Sequence, residues 1–298
     1  MKSKSLFFLA LILMVYAATG LAQGASNPSG VICNNAYPIQ GPFFNGSFIR
    51  QSPSTNGALH FVSYNVNYNE DIKDLLQDFT TIPALQTADF ILLQEVTGTV
   101  GIDDNGARQI AQALNMNYVF APAVVADWLK PTPKDYGNAI LSRWPLGQFR
   151  KVLLPPSAKE NCNQRIALGV TANVAGRLIQ IYSVHLSVTF PDTVGNDRER
   201  AIQLKSALDQ MDVAPAGMPT FFSGDLNTAN PFGIRTIYEL VATRHFTDAH
   251  PLKGYTDKTH HFTLDHAFAR GFSVLRAGTS YEAKGSDHVP IWSDLVLP

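Results

Sequence analysis

The chain has 298 residues, of which 45% are hydrophobic and 16% are charged. This length and composition exclude an intrinsically disordered chain and suit one large domain with a sizeable core. The 23 Lys and Arg residues against 24 Asp and Glu residues give a formal net charge of −1. That balance argues against a protein that coats duplex DNA, because such proteins carry a strongly basic surface.

The N-terminus has the pattern of an export signal. Lys2 and Lys4 precede an apolar run at 6–18 that is short for a bilayer span, and small residues lead to a predicted cleavage after Ala22. We therefore expect a signal peptide (1–22), an N-terminal polar extension (23–57) and a main domain (58–298). The mature protein is expected to be secreted or periplasmic, monomeric and without a transmembrane segment; an uncleaved membrane anchor is the alternative.

Two cysteines, Cys33 and Cys162, are present. An exported protein keeps such a pair oxidised more readily than a cytosolic one. We predict a disulfide between them that ties the extension to the main domain, with two free thiols as the alternative.

The first half of the main domain alternates β-rich runs with amphipathic helical segments. Strands are predicted at 59–66, 89–93, 118–122, 138–141 and 147–154. One helix is predicted to follow an N-cap at Asn69, and a second helix is predicted at 106–115. The pattern is that of a mixed α/β chain.

The second half continues this alternation. Two β-rich runs at 165–174 and 177–185 are separated by Ala175 and Gly176, which predicts a hairpin. Apolar residues recur at helical spacing in 197–211. A strand at 219–223, a helix at 234–242 and strands at 263–269 and 289–296 complete the prediction.

Polar residues capable of chemistry stand at or near the ends of these predicted strands. Strand ends of an α/β core share one rim, so we expect the side chains to face a common cleft. They are Asn65, Glu95, His185, Asp225, Asn227, Asp265, Asp287 and His288. Taken singly, each has an ordinary structural explanation, such as a turn-forming Asn or Asp or a buried hydrogen-bonded His.

These residues lie within seven segments of the sequence. In chain order the segments are Ser-Tyr-Asn-Val-Asn (63–67), Leu-Gln-Glu-Val (93–96), Tyr-Gly-Asn-Ala-Ile-Leu-Ser-Arg (136–143), Val-His-Leu (184–186), Ser-Gly-Asp-Leu-Asn (223–227), Thr-Leu-Asp-His (263–266) and Gly-Ser-Asp-His-Val-Pro (285–290). Seven such matches in order, from about residue 59 to the C-terminus, resemble the endonuclease/exonuclease/phosphatase superfamily, whose founding type is DNase I.

The resemblance implies an α/β protein of the α+β type, built as a four-layer sandwich in which two packed mixed β-sheets are flanked by helices. It also implies an enzyme that hydrolyses phosphate esters with Mg²⁺, for which Mn²⁺ or Ca²⁺ are alternatives. By its place in the Gln-Glu motif, Glu95 is the implied principal metal ligand, with Asn65 and Asp287 completing or orienting the site. Asn67 stands where some members have Asp, which weakens the case for a second acidic ligand.

The resemblance further implies the catalytic roles. Asp225, aided by Asn227, would position and deprotonate the attacking water, and His185 would donate to a phosphoryl oxygen. His288 would contact the phosphate with its ring oriented by Asp265. The sequence leaves open whether Asp225 or the Asp265–His288 pair is the general base.

The substrate is the least determined feature of the sequence. A nuclease or phosphodiesterase is the first expectation, with a sphingomyelinase-like phospholipid phosphodiesterase or a phosphatase as alternatives and a non-catalytic exported binding protein as the alternative of another class. Specificity is expected from loops. The informative loops are 123–135, which carries Trp128, Lys130 and Lys134, and 186–197. An aromatic side chain flanked by lysines could stack on a base, enter a lipid interface or pack on the protein.

Overall fold

The computed structural model describes residues 35–51, 53–55, 57–157, 160, 163–188, 194–215, 217–251 and 254–297. The predicted signal peptide and both cysteines lie outside these residues. The described chain forms two mixed β-sheets with helices on their outer faces. None of the described helices has the length and apolar character needed to cross a membrane.

The first sheet has seven strands and is built mainly from the first half of the chain. In chain order its strands are β1 (Phe44–Ser47), β2 (Ala58–Asn65), β3 (Phe90–Thr99), β4 (Asn117–Ala126), β5 (Lys134–Ser142), β12 (Ser273–Thr279) and β13 (Ile291–Val296). Their spatial order is β1-β4-β5-β3-β2-β13-β12. Only β2 and β3 are parallel neighbours.

The second sheet has six strands. They are β6 (Leu146–Leu153), β7 (Ile166–Val174), β8 (Arg177–His185), β9 (Thr220–Asp225), β10 (Thr247–Asp248) and β11 (Asp265–Arg270), in the spatial order β10-β11-β9-β8-β7-β6. The predicted hairpin is confirmed as β7 and β8, with Val174 opposite Arg177. The parallel pair in this sheet is β8 and β9.

Apolar side chains from the inner faces of the two sheets form the central core. Phe61 of β2 and Phe221 of β9 meet across the interface with ring centroids 4.3 Å apart, and both side chains are buried. Burial of such aromatic and branched residues from both sheets is the main force holding the layers together, at roughly 25 cal/mol per Å² of apolar surface.

Helices cover the outer faces. Those on the first sheet are α1 (Ile72–Thr81), α2 (Pro83–Gln86) and α3 (Gly106–Leu114), and those on the second are α4 (Val194–Met211) and α5 (Pro231–Ala242). The order helix, sheet, sheet, helix confirms the predicted four-layer sandwich.

The start of α1 differs from the prediction. Asp71, not Asn69, caps the helix by accepting a hydrogen bond from the backbone N–H of Asp74 at 3.1 Å. Asn69 instead ends a left-handed turn, Asn67–Asn69, and its side-chain oxygen accepts from the backbone N–H of Thr97 at 2.7 Å. The Asn side chain therefore satisfies a strand N–H rather than a helix end.

Three strands escaped the sequence prediction. β1, β10 and β12 lie at the edges of their sheets. In β12 the apolar residue Leu275 is exposed, so this strand lacks a buried apolar face. β1 lies in the segment assigned to the polar extension, so the described part of 23–57 contributes a strand to the first sheet through pairing of Phe44 with Phe120.

One close approach aligns the second sheet with the site. A Cβ added to Gly224 would lie 1.8 Å from the carbonyl oxygen of Val184 on the parallel neighbour. A side chain at this position would therefore push β8 and β9 apart, and Gly lets their final residues, His185 and Asp225, end side by side.

Candidate active site

Four of the predicted site residues stand at neighbouring strand ends of the two sheets, and Glu95, predicted just after a strand, lies inside β3. Asn65 ends β2, Glu95 lies in β3, His185 and Asp225 end β8 and β9, and Asp265 begins β11. The pairing places Asp225 opposite both His185 and Asp265. Because both parallel pairs end at the same rim, the chemistry-bearing side chains of the two sheets converge there.

Asp225 lies at the centre of the group. Its Oδ2 accepts a hydrogen bond from Asn65 Nδ2 at 3.0 Å and lies 3.7 Å from His185 Nε2 and 3.6 Å from His288 Nε2. The carboxylate is 1% exposed. Burial is the main cause that raises the pKa of the Asp225 carboxyl above its ordinary value, with Asp265 adding to the rise and the charge of His288 opposing it.

Asp265 orients His288. Its Oδ2 lies 2.7 Å from His288 Nδ1, so the other ring nitrogen, Nε2, faces Asp225. Burial lowers the pKa of His288, but the carboxylates of Asp265 and Asp225 outweigh it and raise the pKa well above the ordinary histidine value. The two carboxylates therefore favour the protonated ring, and the contact with Asp265 fixes its direction.

Glu95 adopts an uncommon backbone conformation, with φ of 60°. The pairing of β3 with β5 shifts register between Leu93 and Val96, which marks a bulge at this point. The bulge turns Glu95 toward the rim, where its Oε1 lies 3.8 Å from His185 Nε2. Burial raises the pKa of Glu95 despite the nearby charge of Arg165, which lowers it.

His185 is held by a buried ion pair that the sequence did not reveal. Arg165 Nη1 lies 3.1 Å from each ring nitrogen of His185 and donates to the Tyr136 hydroxyl at 2.7 Å. Arg165 Nη2 in turn lies 2.7 Å from Glu160 Oε1. Burial first, and then the charge of Arg165, lower the pKa of His185 well below its ordinary value, so this ring is neutral.

Asn227 and Asp287 stand differently from the other predicted residues. The backbone N–H of Asn227 donates to Asp225 Oδ1 at 2.9 Å, while its side-chain amide donates to the carbonyl oxygen of Leu186. Asn227 thus supports Asp225 through its backbone. Asp287 is exposed at the rim and accepts from the Ser286 hydroxyl at 3.2 Å.

The oxygen donors near Glu95 fit a small hard cation. Asn65 has its amide oxygen 3.1 Å from the backbone N–H of Asn67 and its amide nitrogen directed at the carboxylates. Asp287 is close enough for its charge to raise the pKa of Glu95. The Glu95 and Asp287 carboxylates present oxygens that Mg²⁺ accepts while keeping several waters. The Asn65 amide turns its nitrogen toward the carboxylates and therefore orients them.

Other histidines do not form a zinc centre. Among the described residues no three His, Cys, Asp or Glu side chains converge into a group that could hold a metal ion. His260 and His261 are exposed, whereas His266 is buried on β11. The alternation of β11 places His266 on the helix-covered face, where its ring packs near Tyr238.

The arrangement suits hydrolysis of an anionic ester. It offers a buried carboxylate whose pKa is raised, an oriented imidazole for which the protonated form is favoured, a second imidazole for which the neutral form is favoured, and carboxylate oxygens for a cation.

Comparisons with known proteins give one family. The model of the Endonuclease/Exonuclease/phosphatase family matches residues 62–288. A comparison with curated protein sequences finds no match.

Several solved structures share the fold. An endonuclease/exonuclease/phosphatase from Beutenbergia cavernae DSM 12333 is 21% identical, with a TM-score of 0.64 over 81% of this chain and 72% of that one. D. rerio TDP2 complexed with single-strand DNA product is 16% identical, with a TM-score of 0.60 over 80% and 99%. Sphingomyelinase C from Streptomyces griseocarneus is 18% identical, with a TM-score of 0.56 over 80% and 99%. From the family match and this shared fold, the chain belongs to the endonuclease/exonuclease/phosphatase family, whose members are phosphoric ester hydrolases.

Proposed function

We propose that this protein is a secreted, Mg²⁺-dependent phosphodiesterase that cleaves its substrate by attack of an activated water. The observation that carries the proposal is the position of Asp225, whose carboxylate lies within 3.7 Å of His185 and 3.6 Å of His288. A phosphate group at this point would meet a proton acceptor and two imidazole donors at once.

In this proposal Asp225 is the general base. Its raised pKa gives the carboxylate the proton affinity that water activation needs near neutral pH. Asn65 and the backbone N–H of Asn227 hold its two oxygens in place. The attacking water gives its proton to Asp225, and its oxygen forms the new bond to phosphorus as the ester oxygen departs.

The two histidines have different roles because their charges differ. His288, held by Asp265 and protonated, balances the negative charge of the phosphate. The lowered pKa of His185 favours a neutral ring, which donates its one N–H, on Nε2, to a phosphoryl oxygen, while Arg165 donates to Nδ1 and fixes the ring. These donors stabilise the charge that develops in the transition state.

Glu95 and Asp287 are the residues that would hold Mg²⁺, with Asn65 orienting the site and with Mn²⁺ or Ca²⁺ as alternatives. When bound, the cation supplies Lewis-acid polarisation of a phosphoryl oxygen and balances its charge.

The substrate class has two supported alternatives. The fold is shared with TDP2 complexed with single-strand DNA product and with sphingomyelinase C, so nucleic acid and phospholipid are both candidates. We place nucleic-acid or other phosphodiester cleavage first and phospholipid cleavage second. A phosphatase and a non-catalytic exported binding protein are the remaining alternatives with the same fold.

The test is an assay series on the mature protein, residues 23–298. It is incubated with Mg²⁺ and bis(p-nitrophenyl) phosphate, p-nitrophenyl phosphate, plasmid DNA or sphingomyelin vesicles, with EDTA in parallel. Diester cleavage that EDTA abolishes and Mg²⁺ restores is the expected result. Activity on the monoester alone would assign a phosphatase, and activity on none would favour the binding protein.

The catalytic assignment is tested with a matched pair of variants. Asp225→Asn should lower kcat about 10²- to 10⁴-fold, the usual contribution of a general base. Asp209→Asn makes the same change on the exposed face of α4, where the carboxylate pairs with Lys205, and should leave kcat unchanged. Equal rates for the two variants would remove Asp225 from the mechanism.

A further inference from the structure

An aromatic surface extends outward from the proposed catalytic residues. It consists of Tyr68 in the turn Asn67–Asn69, Trp128 in the connection between β4 and β5, and Tyr136 in β5. The ring centroid of Tyr136 lies 5.6 Å from that of Tyr68 and 6.1 Å from that of Trp128. We call these three side chains the aromatic shelf.

Tyr136 joins the shelf to the catalytic group. Its hydroxyl accepts a hydrogen bond from Arg165 at 2.7 Å and lies 3.5 Å from His185 Nδ1. Its ring is buried, while Trp128 at the outer end is 41% exposed. A substrate whose phosphate meets His185 would therefore have its neighbouring group beside the shelf.

The backbone at Tyr68 adopts a conformation that is unfavourable for a tyrosine. Asn67, Tyr68 and Asn69 have φ values of 44°, 58° and 45°, a left-handed conformation that Asn tolerates and Tyr adopts rarely. Thr97 fixes the turn, since its hydroxyl donates to the Tyr68 carbonyl at 2.7 Å. Such conformations cost free energy and cluster at functional sites.

The surroundings of Trp128 favour a planar polar ligand over a lipid surface. Trp128 is the exposed large apolar side chain of the described β4–β5 connection, because Leu129 is partly buried against Tyr136 and its cluster. Its other neighbours are the exposed, charged Asp127 and Lys130. Membrane docking needs a broader apolar face than one side chain provides. The exposed Trp128 ring near the Lys130 ammonium is better suited to stack on a nucleobase whose phosphate lies close by.

We infer that Tyr68, Trp128 and Tyr136 form a subsite that binds a nucleobase attached to the phosphate being hydrolysed. The inference rests on the proposed function and makes Trp128 and Tyr68 specificity-determining residues. The base stacks on the exposed ring of Trp128, and Tyr68 and Tyr136 close the inner side.

The experiment compares two substrates that share one leaving group. They are the p-nitrophenyl ester of thymidine 5′-monophosphate and methyl p-nitrophenyl phosphate. The wild-type protein should show a KM about tenfold lower for the thymidine ester, as expected for base stacking on an aromatic side chain. Trp128→Ala should remove that difference with little change in kcat, and Trp128→Phe should restore most of it.

Phe232→Ala is the matched control, since it deletes an exposed aromatic side chain, 52% exposed, on α5. It should leave both KM values unchanged. Equal KM values in the wild-type protein, or equal losses on both substrates in Trp128→Ala, would overturn the inference. So would unchanged thymidine kinetics together with weakened binding of Trp128→Ala to sphingomyelin vesicles.

A binding measurement separates failure of the subsite from failure of the proposed function. Thymidine 5′-monophosphate should quench the tryptophan fluorescence of the wild-type protein but not that of Trp128→Phe. Quenching without turnover of either ester would refute the phosphodiesterase and leave the subsite standing. Turnover of both esters without quenching would refute the subsite alone.

Discussion

The buried ion pair behind His185 allows a quantitative prediction. Arg165 and Glu160 have side chains that are only 4% and 6% exposed, with Nη2 and Oε1 2.7 Å apart. Glu160 Oε1 also accepts from the backbone N–H of Val188 at 2.7 Å, and Arg165 also contacts Tyr136 and His185. Removing either charge leaves the other buried without its partner.

The expected cost follows from that burial. Loss of one partner of a buried pair costs about 3–5 kcal/mol, so Arg165→Met should lower the free energy of unfolding by about 4 kcal/mol and Glu160→Gln by about 3 kcal/mol. The double variant buries no lone charge and should lose only about 4 kcal/mol, which gives a coupling of about 3 kcal/mol. For a domain of this size the Arg165→Met change corresponds to a fall in Tm of about 10 °C.

Urea unfolding followed by circular dichroism measures all four proteins of this cycle. The control cycle uses Arg235→Met and Glu239→Gln, whose Nε and Oε1 atoms are also 2.7 Å apart but whose side chains are 77% and 64% exposed. Solvent screening should leave this pair without measurable coupling. Additive effects in the Arg165 cycle, or equal coupling in the two cycles, would refute the argument from burial.

Three further predictions test other parts of the structure. Burial raises the pKa of Asp225 in the folded state. In EDTA the wild-type protein should therefore lose stability as the pH rises above the ordinary aspartate pKa of about 4. Asp225→Asn should remove this loss, as measured by urea unfolding between pH 5 and 8. Gly224→Ala should lower stability by about 3 kcal/mol or more, or prevent folding, because its Cβ would meet Val184; an unchanged Tm would contradict the packing. Burial lowers the pKa of Lys151 to about 8, so Lys151→Met should have a higher Tm than the wild-type protein at pH 7. This difference in Tm should shrink between pH 8 and 10, because the wild-type lysine loses its proton in the folded state. A difference in Tm that stays constant with pH would refute the assignment.

Sequence patterns predicted most of the fold because they reflect local burial. The hairpin β7–β8 and the helix ending at Met211 appeared through alternating and helical apolar spacing. The capping of α1 was mistaken because Asn69 and Asp71 are both good caps, and only the position of Thr97 shows which one is used.

The site was partly visible for the same reason. Polar residues at the ends of apolar strands marked Asn65, Glu95, His185 and Asp225, and the structure brings these side chains together. The sequence suggested Arg165, which opens the strand before that of His185, as a contact to the same phosphate, but its pairing with Glu160 was missed. The sequence indicated this ion pair only by an Arg at the start of a predicted strand with an acidic residue five positions earlier. Surface pairs with this spacing are common, so the indication was weak.

The sequence itself determined three features, since each depends on residues close together in the chain. They are the order of motifs along the chain, the placement of polar residues at strand ends and the family resemblance. The ion pair behind His185 and the meeting of Tyr68, Trp128 and Tyr136 were decided only by the tertiary structure. The pairing of Asp265 with His288 was implied by the resemblance, and the structure adds its distance of 2.7 Å. These contacts join residues on different elements, often of different sheets, and their distances depend on sheet packing that no local pattern encodes.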